Sequence, residues 1–242
     1  MKLNFVLAEA ALELVPRELS HAPAVSSDAK RRGIEASHIL LDRSFHHSAM
    51  ARLRDSEKRG RPDLVHEALL SVTGTPLYLD GFVKIFVHTG QDVVLELTEK
   101  TRIPKSYFRF RGLIEKLLAG GSGEGLVRAY PSGVKNLVQK TIHSDNVVGL
   151  SVQGETIRLE ELAAEIVTAR NPCVMVGGFP HGHFSKETLE VMDRLVRIND
   201  RPLEAHVVVA RMMYEIEKAG GNQSLKGVGA GLGTVRSSSR SR

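Results

Sequence analysis

Arg61 and Asp63 stand at the head of a helix-like apolar stretch, in the run Arg59-Gly60-Arg61-Pro62-Asp63. At that spacing a carboxylate can hold a guanidinium in one orientation through a charge-assisted bond, so a mobile cation becomes a directed donor. Such a donor suits a phosphate, or a negative charge that develops on a carbonyl oxygen during reaction. Further along, Thr101 to Arg111 interleaves Arg102, Lys105 and Arg109 with Tyr107, Phe108 and Phe110. Cations of that kind grip phosphates, and rings among them offer faces to unstacked bases. The basic stretch from Arg52 to Arg59 reads instead as a solvated helix face. Asp42 and Arg43 follow an apolar run, where a structural ion pair and a substrate contact are both open.

Glycine-rich segments supply a second kind of chemistry. Gly177-Gly178-Phe179-Pro180-His181-Gly182 follows the strand-like Val174-Met175-Val176. Its glycines allow a sharp bend and a ligand laid against bare main chain, although a tight strand-to-helix turn would need them equally. The spacing is neither a dinucleotide-binding fingerprint nor a Walker loop. A second loop, Ile198-Asn199-Asp200-Arg201-Pro202-Leu203, feeds the last helix, with Asp200 as its expected cap and Pro202 in its first turn. Free backbone N–H and C=O groups there could hold an adenine edge, which needs both. His46-His47 and His181/His183 bring no third ligand at metal-site spacing, so no metal is expected. Cys173, the single cysteine, lies in an apolar run and reads as a buried thiol.

These loops need a sheet to hold them. Strand-like runs occur at Leu3–Leu7, Ile39–Leu41, Val83–Val87 and Val93–Leu97, the last pair spaced as a hairpin. Helical patterns cover Pro62–Val72, Tyr107–Ala119, Leu159–Ala169 and Leu203–Lys218. In the last of these Leu203, Val207, Ala210 and Tyr214 share a face, and Gly220-Gly221 predicts a stop. Gly120 to Gly125 predicts a surface loop or the seam of an insertion. The C-terminal third alternates helix and strand, which implies an α/β fold: a mostly parallel sheet with helices on both faces and ligands at the carboxyl ends of its strands.

The 242 residues are enough for one α/β domain with an insertion. A net charge of +5 hints at a polyanionic partner, and part of it sits in a Gly- and Ser-rich tail from 219 to 242, expected to be disordered. That tail is either a solubilising terminus or a sequence-blind phosphate contact. No apolar run approaches the length of a membrane span, and the N-terminus has no leader-like order of charge, apolar stretch and cleavage site. The expected location is the cytoplasm, with no membrane partner.

Taken in order, these segments resemble the ribosome-biogenesis pseudouridine N1-specific methyltransferases of the SPOUT class. The resemblance is carried by Leu3 to Glu13, Leu40-Leu41-Asp42-Arg43-Ser44-Phe45-His46-His47, Gly60 to His66, Val87-His88-Thr89, Arg102-Ile103-Pro104-Lys105 with Arg109-Phe110, Val176 to Gly182 and Pro202-Leu203-Glu204-Ala205. It implies a single domain over 1–218 with a family-specific insertion within roughly 43–80, a C-terminal trefoil knot and a homodimer. It also implies S-adenosyl-L-methionine as cofactor, held by Gly177, Gly182 and the backbone of Ile198, Asn199, Asp200, Arg201, Pro202 and Leu203. Small-subunit ribosomal RNA with a pseudouridine-containing loop would be bound by Arg61, Arg102, Lys105 and Arg109, with Arg61 and Asp63 at the chemistry and ribosomal assembly proteins as further partners. The chain departs from the pattern at His183, usually acidic, and at Asn199-Asp200, more often Tyr-Pro. A non-catalytic ribosomal RNA-binding assembly factor is the alternative, and a methyltransferase with a different acceptor base is another.

Overall fold

The computed structural model describes residues 2–229 apart from 100, 124 and 145, with the backbone alone from 221 to 229. Strand β1 (Leu3–Ala10) is covered on both sides: Leu3, Phe5 and Leu7 enter one core, Val6 and Ala8 the other. Period-two alternation with both faces buried explains why the strand reads as an unbroken apolar run.

From Ala11 to Phe82 the chain leaves the sheet through α1 (Pro23–Arg32), α2 (Arg43–Met50), α3 (Pro62–Thr73) and α4 (Pro76–Leu79). Val15, Val25, Ile39, Leu41 and Met50 give this excursion a small core of its own, and the segment 43–80 falls within it. Ile39-Leu40-Leu41 is not the expected strand. It follows a 3-10 turn, Ala36–His38, and makes one isolated bridge, between Leu14 and Leu40. All three side chains are fully buried, a demand that a core-lining connector shares with a strand. In α3, Pro62 at the first helical position and Asp63 in the first turn match the free N–H groups there.

Strands β2 (Val83–Thr89) and β3 (Val93–Leu97) form the expected antiparallel hairpin. Helix α5 (Tyr107–Leu118) and an exposed turn at Gly120, Gly121 and Ser122 lead to β4 (Val127–Pro131), antiparallel to β3. A short α6 (Val134–Asn136) runs into a π-helical turn, Leu137–Ile142, ahead of β5 (Asn146–Thr156). Then α7 (Leu159–Thr168), β6 (Pro172–Gly177), α8 (Lys186–Leu189), β7 (Arg194–Arg197) and α9 (Ala205–Gly229) alternate as expected. The sheet order is β4-β3-β2-β1-β6-β5-β7. Pairs β1–β2, β1–β6, β5–β6 and β5–β7 are parallel, so this is the mostly parallel sheet the sequence predicts. Helices α3, α5, α7 and α9 cover one face; α6, its π-helical turn and the segment around α8 cover the other.

Three expectations about α9 are corrected: its buried face, its start and its stop. Its buried face is Ala205, Val209, Met212, Met213 and Ile216, whereas Ala210 and Tyr214 are exposed, Tyr214 by 62%. Four spaced apolar residues were right for a helix but chose the wrong stripe, because α9 packs through the richer Val/Met/Ile line against α3 and α7. The helix also starts at Ala205, so Asp200 is not its cap, and it continues through Gly220-Gly221 to Gly229. Glycine costs a helix interior only about 1 kcal/mol, too little to break a long packed helix. The first part of the tail expected from 219 is therefore helical backbone, and 230–242 lie outside the described residues.

Candidate active site

Because β5, β6 and β7 run parallel, the segments at their carboxyl ends meet on one edge. They enclose a cleft of about 310 Å3 that includes Gly177, Gly182, Ile198, Asn199, Arg201, Pro202 and Leu203. The two glycine- and proline-containing loops, separate in sequence, are thus one site. Of the residues expected to hold a cofactor, Asp200 alone does not line the cleft; its exposed carboxylate lies 3.7 Å from Arg197.

Local sequence explains the cleft's shape. The pairing of β5 with β7 slips between Leu150 and Glu155, so the intervening residues bulge and Ser151 and Val152 become a wall. Gly154 permits this: a Cβ there would stand 2.4 Å from Val196 N. Across the cleft, Gly182 sits at φ +89°, open to glycine at little cost. From Asn199 to Leu203 no backbone group has a backbone partner among the described residues; the Arg201 carbonyl accepts from Asn199 Nδ2 at 2.9 Å. Main-chain donors and acceptors free of backbone partners beside Leu150, Leu203 and Val208 suit a flat heteroaromatic ring that needs both.

The glycine loop is braced from behind by residues the sequence reading assigned no role. Glu9, at the end of β1 with φ +51°, accepts the Ser185 amide at 2.7 Å and the Lys58 ammonium at 3.0 Å. Burial would raise the Glu9 carboxyl, but the Ser185 amide, Thr188 and Lys58 together outweigh it and hold it below the usual range. Lys58 also donates to the His183 carbonyl and lies 4.4 Å from the centre of the Phe179 ring. Its neighbour Arg59 makes a two-pronged bond to Glu13, at 2.7 and 2.6 Å. The solvated-face expectation for Arg52–Arg59 therefore holds for Arg52 and Arg54, and not for Lys58 and Arg59. An acidic residue ending an apolar strand was the available signal, and only the fold shows which lysine it meets.

Helix α3 joins this cleft to the cationic segment. Leu64 lines the cleft, and one turn away Arg61 donates to Asp63 through Nε at 2.8 Å and Nη2 at 2.9 Å. The Asp63 bond outweighs partial burial and, with Glu204 and Glu67 nearby, lifts the guanidinium above its ordinary value. His66 meets the Pro104 carbonyl at 2.7 Å and stacks on Phe110 at 4.5 Å. Tyr107 donates to Asp42; burial first, and that carboxylate next, push its phenol far above the ordinary value. Arg102, Lys105 and Arg109 are thereby presented on an exposed face, without an ion-pair partner among the described residues. Arg111 is not: it is buried between the Phe45 and Phe108 rings.

Asp42 caps α2, accepting the Ser44 amide at 2.9 Å, and Arg43 donates to the Ser56 carbonyl, so the expected Asp42–Arg43 ion pair does not form. His46 is fully buried, its Nδ1 accepting the Asp42 amide at 3.1 Å; His181 and His183 are exposed on the glycine loop. Cys173 is buried and its thiol is pushed up to about 12, as expected of an inert side chain.

Comparison with known proteins fits this arrangement. Residues 5–217 match the family model described as EMG1/NEP1 methyltransferase. The ribosomal RNA small subunit methyltransferase Nep1 of Pyrobaculum islandicum is 42% identical over 221 residues, 89% of this chain and 98% of the relative. The protein of the same name from Thermococcus kodakarensis is 36% identical over 220 residues, 90% of this chain and 98% of the relative. Among solved structures, Archaeoglobus fulgidus Nep1 bound to S-adenosylhomocysteine superposes with a TM-score of 0.80 at 33% identity, covering 91% of this chain and all of that one. With the match running from β1 well into α9 and taking in both loops of the cleft, the chain belongs to the EMG1/NEP1 methyltransferase family.

Proposed function

We propose that this protein transfers the methyl group of S-adenosyl-L-methionine to small-subunit ribosomal RNA, at N1 of a pseudouridine, in ribosome biogenesis. The observation that carries this reading is the cleft: two loops distant in sequence meet around free main-chain groups, and α3 connects them to an unpaired cationic face. The chain's family relatives are named as small-subunit ribosomal RNA methyltransferases, and one is solved with S-adenosylhomocysteine.

The residues present fit such a cofactor. Gly177, Gly182, Ile198, Asn199, Arg201, Pro202 and Leu203 would hold it, mostly through backbone, so His183 and Asn199 need contribute no side-chain chemistry. When bound, the cofactor supplies an electrophilic methyl carbon on a positively charged sulfur. The protein's task is then to hold a nitrogen nucleophile in line. Pseudouridine has a free N1–H beside a carbonyl, and its proton can leave to water while the charge spreads onto that oxygen. Arg61 commits Nε and Nη2 to Asp63, which leaves Nη1 as an oriented donor for that oxygen or the adjoining phosphate. Arg102, Lys105 and Arg109 hold the RNA backbone so that the target base can turn out of its stack. The same family membership leads us to infer a trefoil knot through the cofactor loops, a homodimer whose RNA site draws on both copies, and a cytoplasmic location; among the described residues no helix is long and apolar enough to cross a membrane.

The test is mass mapping of small-subunit RNA fragments, with and without pseudouridine, after incubation with the protein and isotopically labelled cofactor. Label on the pseudouridine fragment alone is expected; label on uridine fragments would move the acceptor elsewhere. A chain that only assembles RNA would show no saturable heat when titrated with S-adenosylmethionine.

A further inference from the structure

We propose that the outer face of α5, with Phe108 as a wall and Gly112 as a floor, is a stacking subsite for one unpaired nucleobase of the RNA. This rests on the RNA-modifying reading above and adds a place where a base other than the target is held.

Three aromatic residues open α5, and the fold spends two of them internally. Phe110 is fully buried against His66, and Tyr107 is anchored to Asp42. Phe108 is 66% exposed, more than any other large hydrophobic side chain among the described residues. Its ring is nonetheless fixed. The buried Arg111 guanidinium lies 5.4 Å from its centre, Phe45 lies 5.3 Å from the same guanidinium, and Tyr107 meets the ring at 5.9 Å and 59°. A ring held in place by a cation stack while facing water is preorganised for a further planar partner.

Gly112 is the independent observation. It lies one turn after Phe108 in the helix interior, where glycine lowers the helix equilibrium about fivefold relative to alanine. A Cβ at Gly112 would meet nothing within 4 Å, so the protein's own packing does not ask for glycine. In a helix such a Cβ would lean back toward the turn that carries Phe108 and Arg109. A side chain there would fill the space beside the ring, and its absence leaves bare helix surface on which a flat group can lie. Lys105, three residues before Phe108, and Arg109, three before Gly112, are exposed and unpaired among the described residues. Cations around a ring and a bare floor match a nucleotide, whose phosphate and base need both, and whose stacking tolerates any base.

The experiment titrates a fluorescein-labelled RNA stem-loop with the full chain, and repeats it with a loop made abasic at every unpaired position except the target. Phe108→Ala is expected to weaken binding of the intact loop about 5- to 100-fold, to abolish the preference for intact over abasic loops, and to leave the salt dependence unchanged. Phe108→Tyr should bind as the parent does. Gly112→Ala, which fits the free protein without a clash, should weaken the intact loop and not the abasic one. Parent-like binding by Phe108→Ala, or an altered sedimentation mass with unaltered RNA affinity, would overturn the subsite, the latter by assigning the ring to a second copy. Failure of the unmodified chain to bind either RNA would instead overturn the RNA reading itself.

Discussion

Arg61 is both oriented and incomplete: Asp63 takes two of its nitrogens and leaves the third. If that donor faces charge that develops in the reaction, Arg61→Ala should lower kcat by about 100-fold or more, with a smaller effect on RNA affinity. Single-turnover methyl transfer at saturating RNA checks this, and unchanged turnover removes Arg61 from the chemistry. His46 carries a different prediction. Burial lowers its pKa below the ordinary 6.5, and the carboxylates of Asp28 and Asp42 offset this only in part. Below that pH the unfolded chain takes up a proton that the folded chain refuses, so stability falls as pH drops from about 6.5 toward the folded value. Denaturant melts across that window should show the decline, and His46→Gln should flatten it; an identical slope in both proteins would exclude His46. The Arg61–Asp63 pair was legible because its partners are two residues apart. Glu9 with Lys58 was not, because sequence distance conceals which opposite charges meet.

At the scale of elements, the cleft depends on how β5 ends. Gly154→Ala would drive a Cβ toward Val196 N, 2.4 Å away. The expected cost is about 1–3 kcal/mol, together with weaker S-adenosylhomocysteine binding, since Ser151 and Val152 form a wall on the same bulge. Thermal unfolding and calorimetry measure the two effects, and full retention of both would mean that the slip in register is dispensable. Elements with strong patterns were readable: β1, the β2–β3 hairpin, α3, α5 and α7 appear where periodicity puts them. Strand β5 escaped notice because its outer half is exposed and carries glycine, glutamine and glutamate, and β4 because only Val127 of its residues is buried. Ile39–Leu41 misled for the opposite reason, since full burial without sheet pairing leaves the same apolar signature.

Over the whole molecule, cofactor cleft and cationic face are adjacent but use different residues. Replacing Arg102, Lys105 and Arg109 together by alanine should lower the slope of log affinity against log salt for single-stranded RNA by about 2. S-adenosylhomocysteine affinity should be unchanged, because none of the three lines the cleft. A parent-like salt slope would mean that other cations carry the phosphates. The chemistry was present in the chain as residue types at short spacing: an arginine with its carboxylate, cations among rings, and glycine and proline after apolar strands. Those features suffice for fold class and family because they act locally, through backbone freedom and near-neighbour charge. Tertiary structure alone decided which side chains are spent and which remain. It buried Arg111 and Phe110 while leaving Phe108 exposed, turned α9 on its Val/Met/Ile stripe, kept Asp200 out of the cleft, and set Lys58 behind the glycine loop. Each of these outcomes is a competition between surfaces distant in sequence, and it is settled by which packing removes the most apolar area from water.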